Sequence, residues 1–202
     1  MMLKDQREIE IMAAARQEGL RSPTNYNSEK IKRLIEDFVD IKPGGEYLDI
    51  GAGQWDFADI INSKGGVCEG VDCDPCVIEL GKHRGYKGYN ITYTKKPLNL
   101  NKQFDGVFSR GSINPASYSY NFDFLRSFID EIEDAIKPDG WGLIIPWYGH
   151  VTNELKKEEA FKVLDAAFKL KGYKRISLTH EQLLKYDCEH KGTKYIYLKT
   201  NK

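Results

Sequence analysis

Tyr47-Leu48-Asp49-Ile50-Gly51-Ala52-Gly53-Gln54-Trp55-Asp56-Phe57 is the stretch that decides the fold. A short strand-forming run meets two glycines one residue apart, and helical spacing begins at Asp56. Glycine reaches backbone conformations closed to other residues, and its missing side chain lets a ligand lie on the main chain. The helix beyond adds N–H donors that have no partner in the first turn. A structural tight turn has the same outline, so a second residue has to decide.

Asp72 is that residue. It stands 21 positions beyond Gly51, at the end of the apolar segment Val67–Val71. An acid about 20 residues past a glycine turn, at the tip of the neighbouring strand, is placed to accept both hydroxyls of a ribose. Alone, it would read equally as a cap or a solvated loop acid; the glycine turn at the matching distance favours the ribose.

Outward from this pair, strands and helices alternate. Tyr47–Ile50 reads as strand, Asp56–Asn62 as helix, Val67–Val71 as strand, Pro75–Lys82 as helix and Asn90–Thr94 as strand. Phe104–Phe108 follows as a fourth strand and Gly142–Pro146 as a fifth. Between them Phe124–Ile136 forms a helix with Leu125, Phe128, Ile129, Ile132 and Ile136 in register. Such alternation predicts a mostly parallel sheet covered on both faces. After a helix over Glu158–Leu170, closed by Gly172, Lys174–Leu178 and Lys194–Lys199 are joined only by a short turn near Glu181–Lys185. Strands so connected suit antiparallel pairing.

Upstream, residues 5–20 read as a helix with Ile9, Met12 and Ala13 on one side, broken by Ser22-Pro23-Thr24-Asn25-Tyr26-Asn27. A second helix starts at the N-cap Ser28 and carries Ile31, Leu34, Ile35 and Phe38 on one face, until Lys42-Pro43-Gly44-Gly45 ends it. Residues 1–40 thus read as a helical extension, a lid or a dimer contact, ahead of a main unit over 41–202, the whole forming one domain.

With this order in place, the chain resembles the class I S-adenosylmethionine-dependent methyltransferases over residues 44–199. Asp49-Ile50-Gly51-Ala52-Gly53 resembles their first motif, Gly70-Val71-Asp72 their ribose-binding acid, and Phe104-Asp105-Gly106-Val107-Phe108-Ser109 their fourth strand. Lys137-Pro138-Asp139-Gly140-Trp141-Gly142-Leu143-Ile144-Ile145 resembles their fifth-strand turn and strand. The resemblance implies a Rossmann-like, seven-stranded, mostly parallel sheet with a reversed last strand, helices on both faces and S-adenosylmethionine across the carboxyl ends. By the same resemblance Gly51, Ala52 and Gly53 approach the methionine part, Asp49 supports the turn and the amino group, Asp72 holds the ribose, Cys73 lies near the adenine edge, and Ser109 or Arg110 lines the reacting end.

Two positions depart from the family pattern. Trp55 replaces the third glycine, either stacking on a ligand or packing beneath the helix, and the acid expected after the third strand is absent from Thr92-Tyr93-Thr94-Lys95-Lys96. Other readings are weaker. Cys73-Asp74-Pro75-Cys76 has thioredoxin-like spacing, yet a thioredoxin has no use for the glycine turn before it. The cysteines lack the paired spacing of a structural zinc site, so no metal is expected. A dehydrogenase would have glycine where Asp56 stands. A methyltransferase-like fold used for binding or regulation is the main alternative.

Acceptor-side residues should follow the fourth and fifth strands, in Asn114-Pro115-Ala116-Ser117-Tyr118-Ser119-Tyr120 and Trp147-Tyr148-Gly149-His150. His150 is the candidate general base, its ordinary pKa lying near neutrality. Tyr118 and Tyr148 are candidates for the pocket around the acceptor. Lysine plus arginine equal 30 and aspartate plus glutamate equal 30, so no net field favours phosphate backbones. A small-molecule acceptor is therefore expected ahead of nucleic acid or protein. No apolar run approaches a membrane span, the charged N-terminus lacks a secretory pattern, and four scattered cysteines suggest reduced thiols, so a cytoplasmic location is expected.

Overall fold

The computed structural model describes residues 5–17, 28–92, 97–113, 122–146, 154–188 and 195–200. Helices α1 (Gln6–Gln17) and α2 (Ser28–Phe38) precede β1 (Glu46–Ile50), α3 (Asp56–Ser63), β2 (Val67–Asp72), α4 (Pro75–His83) and β3 (Lys87–Asn90). Then come β4 (Phe104–Arg110), α5 (Phe122–Asp134), β5 (Ile136–Ile145), α6 (Glu154–Leu170), β6 (Lys174–Ser177), α7 (His180–Lys185) and β7 (Tyr195–Thr200). The seven strands lie in the order β3-β2-β1-β4-β5-β7-β6. β7 runs antiparallel to both β5 and β6, and every other pair is parallel. α7 has only six residues, too short for a crossover, so the chain turns back and β7 enters reversed.

Alternation along the strands divides the core. Tyr47, Phe108, Leu143 and Ile196 face α2, α3 and α4, together with Ile31, Leu34, Ile35, Phe57, Ile61 and Val77. Their neighbours Leu48, Val107, Ile144 and Tyr197 face α5 and α6, against Leu125, Phe128, Ile129, Leu164 and Phe168. With both faces covered, the second half of β5, Trp141-Gly142-Leu143-Ile144-Ile145, reads as a continuous apolar run. Local chemistry sets the helix starts: Asp74 caps α4 by accepting from the Cys76 N–H, and Thr179 with Gln182 closes a capping box on α7.

Several boundaries differ from the sequence reading. Ile136 does not end α5; it opens β5 and pairs with Phe104. A buried isoleucine fits either a helical stripe or a strand, and the strand partner decides. The third strand is Lys87–Asn90, earlier than the expected Asn90–Thr94, because Gly88 lets it close over the Trp55 ring; residues 93–96 lie outside the described residues. α6 begins at Glu154, ahead of the expected Glu158. On α1, Ile9 is 49% exposed while Ile11 is buried beside Glu8, so the helix presents a different face from the one its apolar spacing suggested. Its partner, α4, is charged, and ion pairs choose the face.

Candidate functional site

At the carboxyl ends of β1 and β2 the chain builds a tightly bonded turn. The N–H groups of Gly51 and Ala52 both donate to the Val71 carbonyl, at 2.7 and 3.1 Å, and the Trp55 N–H closes the turn onto the Ala52 carbonyl at 2.8 Å. Gly51 has φ +86°, and a β carbon there would stand 1.6 Å from Ser112 Oγ. Both its conformation and its surroundings exclude a side chain.

The Asp72 carboxylate ties this turn to the next loop. Its Oδ2 accepts from the Gly53 N–H at 3.1 Å and its Oδ1 from the Asp74 N–H at 3.0 Å. Burial pushes the carboxyl up, the N–H groups of Asp74 and Gly53 pull it down, and the balance is upward. The structure thus joins Gly53 to Asp72, the two features that the sequence spacing had paired.

A narrow cleft opens beside the turn. Asp49, Asp56 and Arg110 supply its charge, Gly51 and Ala52 its floor, and Ile31, Phe57 and Phe108 its apolar wall. Asp49 is 4% exposed; burial first, then the charges of Asp72 and Asp56, hold its carboxyl well above the usual carboxylate range. Arg110 is buried as well. Its Nη2 donates to the carbonyls of Tyr186 at 3.2 Å and Asp187 at 2.5 Å, and lies 3.4 Å from Asp187 Oδ2. That turn is fastened to α2, since Lys185 Nζ and the Tyr186 hydroxyl reach Asp37 at 2.5 and 2.6 Å. The cleft therefore carries both signs of charge inside an apolar surround.

Strand alternation separates two residues that the sequence had treated as interchangeable. Arg110 lines the cleft, whereas Ser109 is fully buried between Ile50 and Ile144, and its hydroxyl has no hydrogen-bond partner among the described residues. Trp55 is also fully buried: its indole donates to the Val77 carbonyl at 2.7 Å and stacks on Tyr86 at 5.2 Å between centroids. Its side chain is committed to packing, and its left-handed main chain, φ 63°, ends the turn. Cys73 is exposed next to Asp72, and Cys76 is partly buried.

His150, Tyr118 and Tyr148 lie outside the described residues, as do Tyr120 and the rest of both acceptor-side loops from residue 114 and from residue 147. The sequence reading missed Ile31, Asp56, Phe108 and Ser112. Asp56, inside the glycine stretch, and Phe108, beside Ser109 in the fourth-strand motif, carried local signals; Ile31 and Ser112 belong to no motif. A second cavity, of about 730 Å³, lies at the amino ends of β4 and β5, lined among others by Leu98, Lys102, Glu131 and Lys137. Open α/β sheets take ligands at the opposite, carboxyl edge, and that is where the glycine turn lies. Among the described residues no group of three or more His, Cys, Asp or Glu is arranged for a metal, and no helix is long and apolar enough to cross a membrane.

No protein-family model matches the chain, and no curated protein matches it. Solved structures do. A TehB-like S-adenosylmethionine-dependent methyltransferase from Corynebacterium glutamicum superposes with a TM-score of 0.58 at 17% identity, over 97% of this chain and 98% of that one. DesVI from Streptomyces venezuelae gives 0.60 at 10% identity, over 98% of each. CalS10 from Micromonospora echinaspora, an amino pentose methyltransferase with S-adenosylmethionine bound, gives 0.50 at 19% identity, over 75% of this chain and 60% of that one. The strand order, the reversed β7 and these likenesses define the class: the chain has the class I S-adenosylmethionine-dependent methyltransferase fold.

Proposed function

We propose that the chain transfers a methyl group from S-adenosylmethionine to a small-molecule acceptor. The observation that carries this reading is the Asp72 carboxylate bonded to the Gly53 N–H at the tips of β2 and β1. That bond sets an acid for a ribose against a turn open to a ligand. The donor set suits the cofactor. Asp49 and Asp56 offer carboxylates to an ammonium and Arg110 offers a guanidinium to a carboxylate, so the charges beside the turn complement those of an amino-acid tail.

Bound there, S-adenosylmethionine would supply an electrophilic methyl on its sulfonium. The chain's own part is to hold and align: Gly51, Ala52 and Gly53 present main chain, Asp72 fixes the ribose, Cys73 lies toward the adenine, and the buried Asp49 and Arg110 orient the tail. Trp55 supports the turn from beneath, and Ser109 backs the end of β4. Much of the acceleration in such a displacement comes from alignment. His150 as general base, with Tyr118 and Tyr148 around the acceptor, belongs to the same proposal and rests on their position after β5 and β4. A small-molecule acceptor fits the zero net charge and the aromatic acceptor loops, and CalS10 offers a precedent on this fold.

Isothermal titration with S-adenosylmethionine and S-adenosylhomocysteine, wild type beside Asp72→Ala, tests it. Saturable binding that the variant loses is expected. A wild-type chain that binds neither would leave the fold to a binding or regulatory role.

A further inference from the structure

The glycine turn is held by a residue that belongs to none of the motifs. Arg84, at the C-cap of α4, reaches back so that its Nη1 donates to the main-chain carbonyl of Gln54 at 2.6 Å. Gln54 lies between Gly53, whose N–H meets Asp72, and the left-handed Trp55. The other side of the Arg84 fork is taken by Glu8 of α1, with Nε on Oε1 at 2.6 Å and Nη2 on Oε2 at 3.0 Å. A bidentate guanidinium–carboxylate pair fixes direction as well as distance. Glu8 is 8% exposed, and its hydrogen bonds to Arg84 hold its carboxyl below the usual range.

Two more pairs run along the same contact: Asp5 Oδ2 with His83 Nε2 at 2.7 Å, and Arg7 with Glu79 at 2.5 Å. Both are far more exposed, and exposed pairs contribute little. Glu8–Arg84 is the pair that α1 brings into the protein, and it meets the turn directly.

We propose that Arg84 is a positioning residue for the cofactor turn and that Glu8 sets its orientation, so that docking of α1 and binding at the turn are coupled. This rests on the cofactor reading above. Without Glu8 the guanidinium loses its bidentate anchor and keeps, besides Gln54 itself, a 3.5 Å contact between Nη1 and Asp59 Oδ2, so the donor to the carbonyl between Gly53 and Trp55 is no longer fixed in direction. The turn then has to be ordered by the ligand. Coupling of this kind is reciprocal: whatever affinity α1 docking adds for the cofactor, the cofactor adds for α1 docking.

The test uses the full chain and S-adenosylhomocysteine. Titration of Glu8→Gln and Arg84→Gln, at a temperature where circular dichroism shows both folded, should give affinities about tenfold weaker than wild type, within the ordinary range of coupling. Arg84→Lys, which keeps the charge but loses the fork, should fall between. Hydrogen exchange on the wild type, which needs no variant, should slow in residues 6–17 on saturation. A residue that merely stabilised α1 would shift the melting temperature and leave the affinity of the folded protein alone. Variants binding as tightly as a binding-competent wild type, or α1 exchange indifferent to saturation, would overturn the coupling while leaving the cofactor reading intact. A wild type that does not bind would overturn both.

Discussion

Trp55 and Gly81 share one space: a β carbon on Gly81 would lie 2.1 Å from the Trp55 ring. Gly70 at 2.6 Å and Gly88 at 3.1 Å complete the socket, so β2, α4 and β3 each give up a side chain to admit the indole. The tryptophan in place of the family's third glycine is thus matched by glycines elsewhere. Trp55→Ala should cost about 3–5 kcal/mol in urea unfolding, as expected for emptying a filled core site. Gly81→Ala should destabilise through overpacking, by about 1–3 kcal/mol. Combined with Trp55→Phe, it should cost less than the sum of the two single changes, because the smaller ring vacates the space the methyl needs. Strict additivity in that double-mutant cycle would show that the two side chains do not compete.

Gly51 and Ser112 make a second such pair, with the difference that conformation adds to contact. At Gly51→Ala the new methyl meets Ser112 Oγ, and φ +86° remains unfavourable whatever happens to the serine. Ser112→Gly in the Gly51→Ala background should therefore recover only part of the lost stability and of the lost S-adenosylhomocysteine binding. Full recovery of both, by thermal melting and titration, would mean that the turn tolerates an alanine at that φ.

Much of this was legible in the sequence, for a physical reason: a sheet covered on both faces writes apolar strands, and a tight turn at positive φ writes glycines. The Gly51 and Asp72 spacing located the turn because both residues sit at adjacent strand tips. What stayed illegible depends on partners. Ile136 is apolar in helix or strand, and only its pairing with Phe104 assigns it. Ile9 has the apolar spacing, yet Glu8 and Ile11 face α4 because Arg84 waits there. Arg84, Ser112 and Ile31 reach the turn from segments far along the chain, and no local pattern marks them. His150, Tyr118 and Tyr148 remain proposals resting on their place after β5 and β4.

Arg110 offers a way to divide the cofactor into parts. Its guanidinium is anchored by the carbonyls of Tyr186 and Asp187 and lines the cleft with Asp49. If it meets the carboxylate of the amino-acid tail, Arg110→Gln should weaken S-adenosylhomocysteine about tenfold or more, as charge-assisted pairs of about 1.5–3 kcal/mol require. It should leave 5′-deoxy-5′-methylthioadenosine, which lacks the tail, within about twofold of its wild-type affinity. An equal loss for both ligands, by titration, would assign Arg110 to the fold of the α7 turn instead.

Asp49 should show stability and binding moving in opposite directions. Burial, with Asp72 and Asp56 nearby, raises its folded-state pKa well above the ordinary 3.8. Between that value and the folded pKa, the folded chain keeps a proton that the unfolded chain has released, so this group's contribution to stability falls as pH rises through the window. Above the ordinary carboxylate range the raised pKa makes Asp49 a net cost of folding, and a ligand ammonium would offset it. Asp49→Asn should accordingly raise stability at pH 7 by about 0.5–2 kcal/mol, seen as a melting temperature higher by a few degrees. On the proposed reading, in which Asp49 faces the ligand ammonium, the same variant should bind S-adenosylhomocysteine more weakly. Near pH 4, where wild-type Asp49 keeps its proton when folded, the stability gain should shrink toward zero. A gain that stays constant from pH 4 to pH 8 would place its origin in packing, and unchanged affinity in the variant would remove Asp49 from the cofactor site.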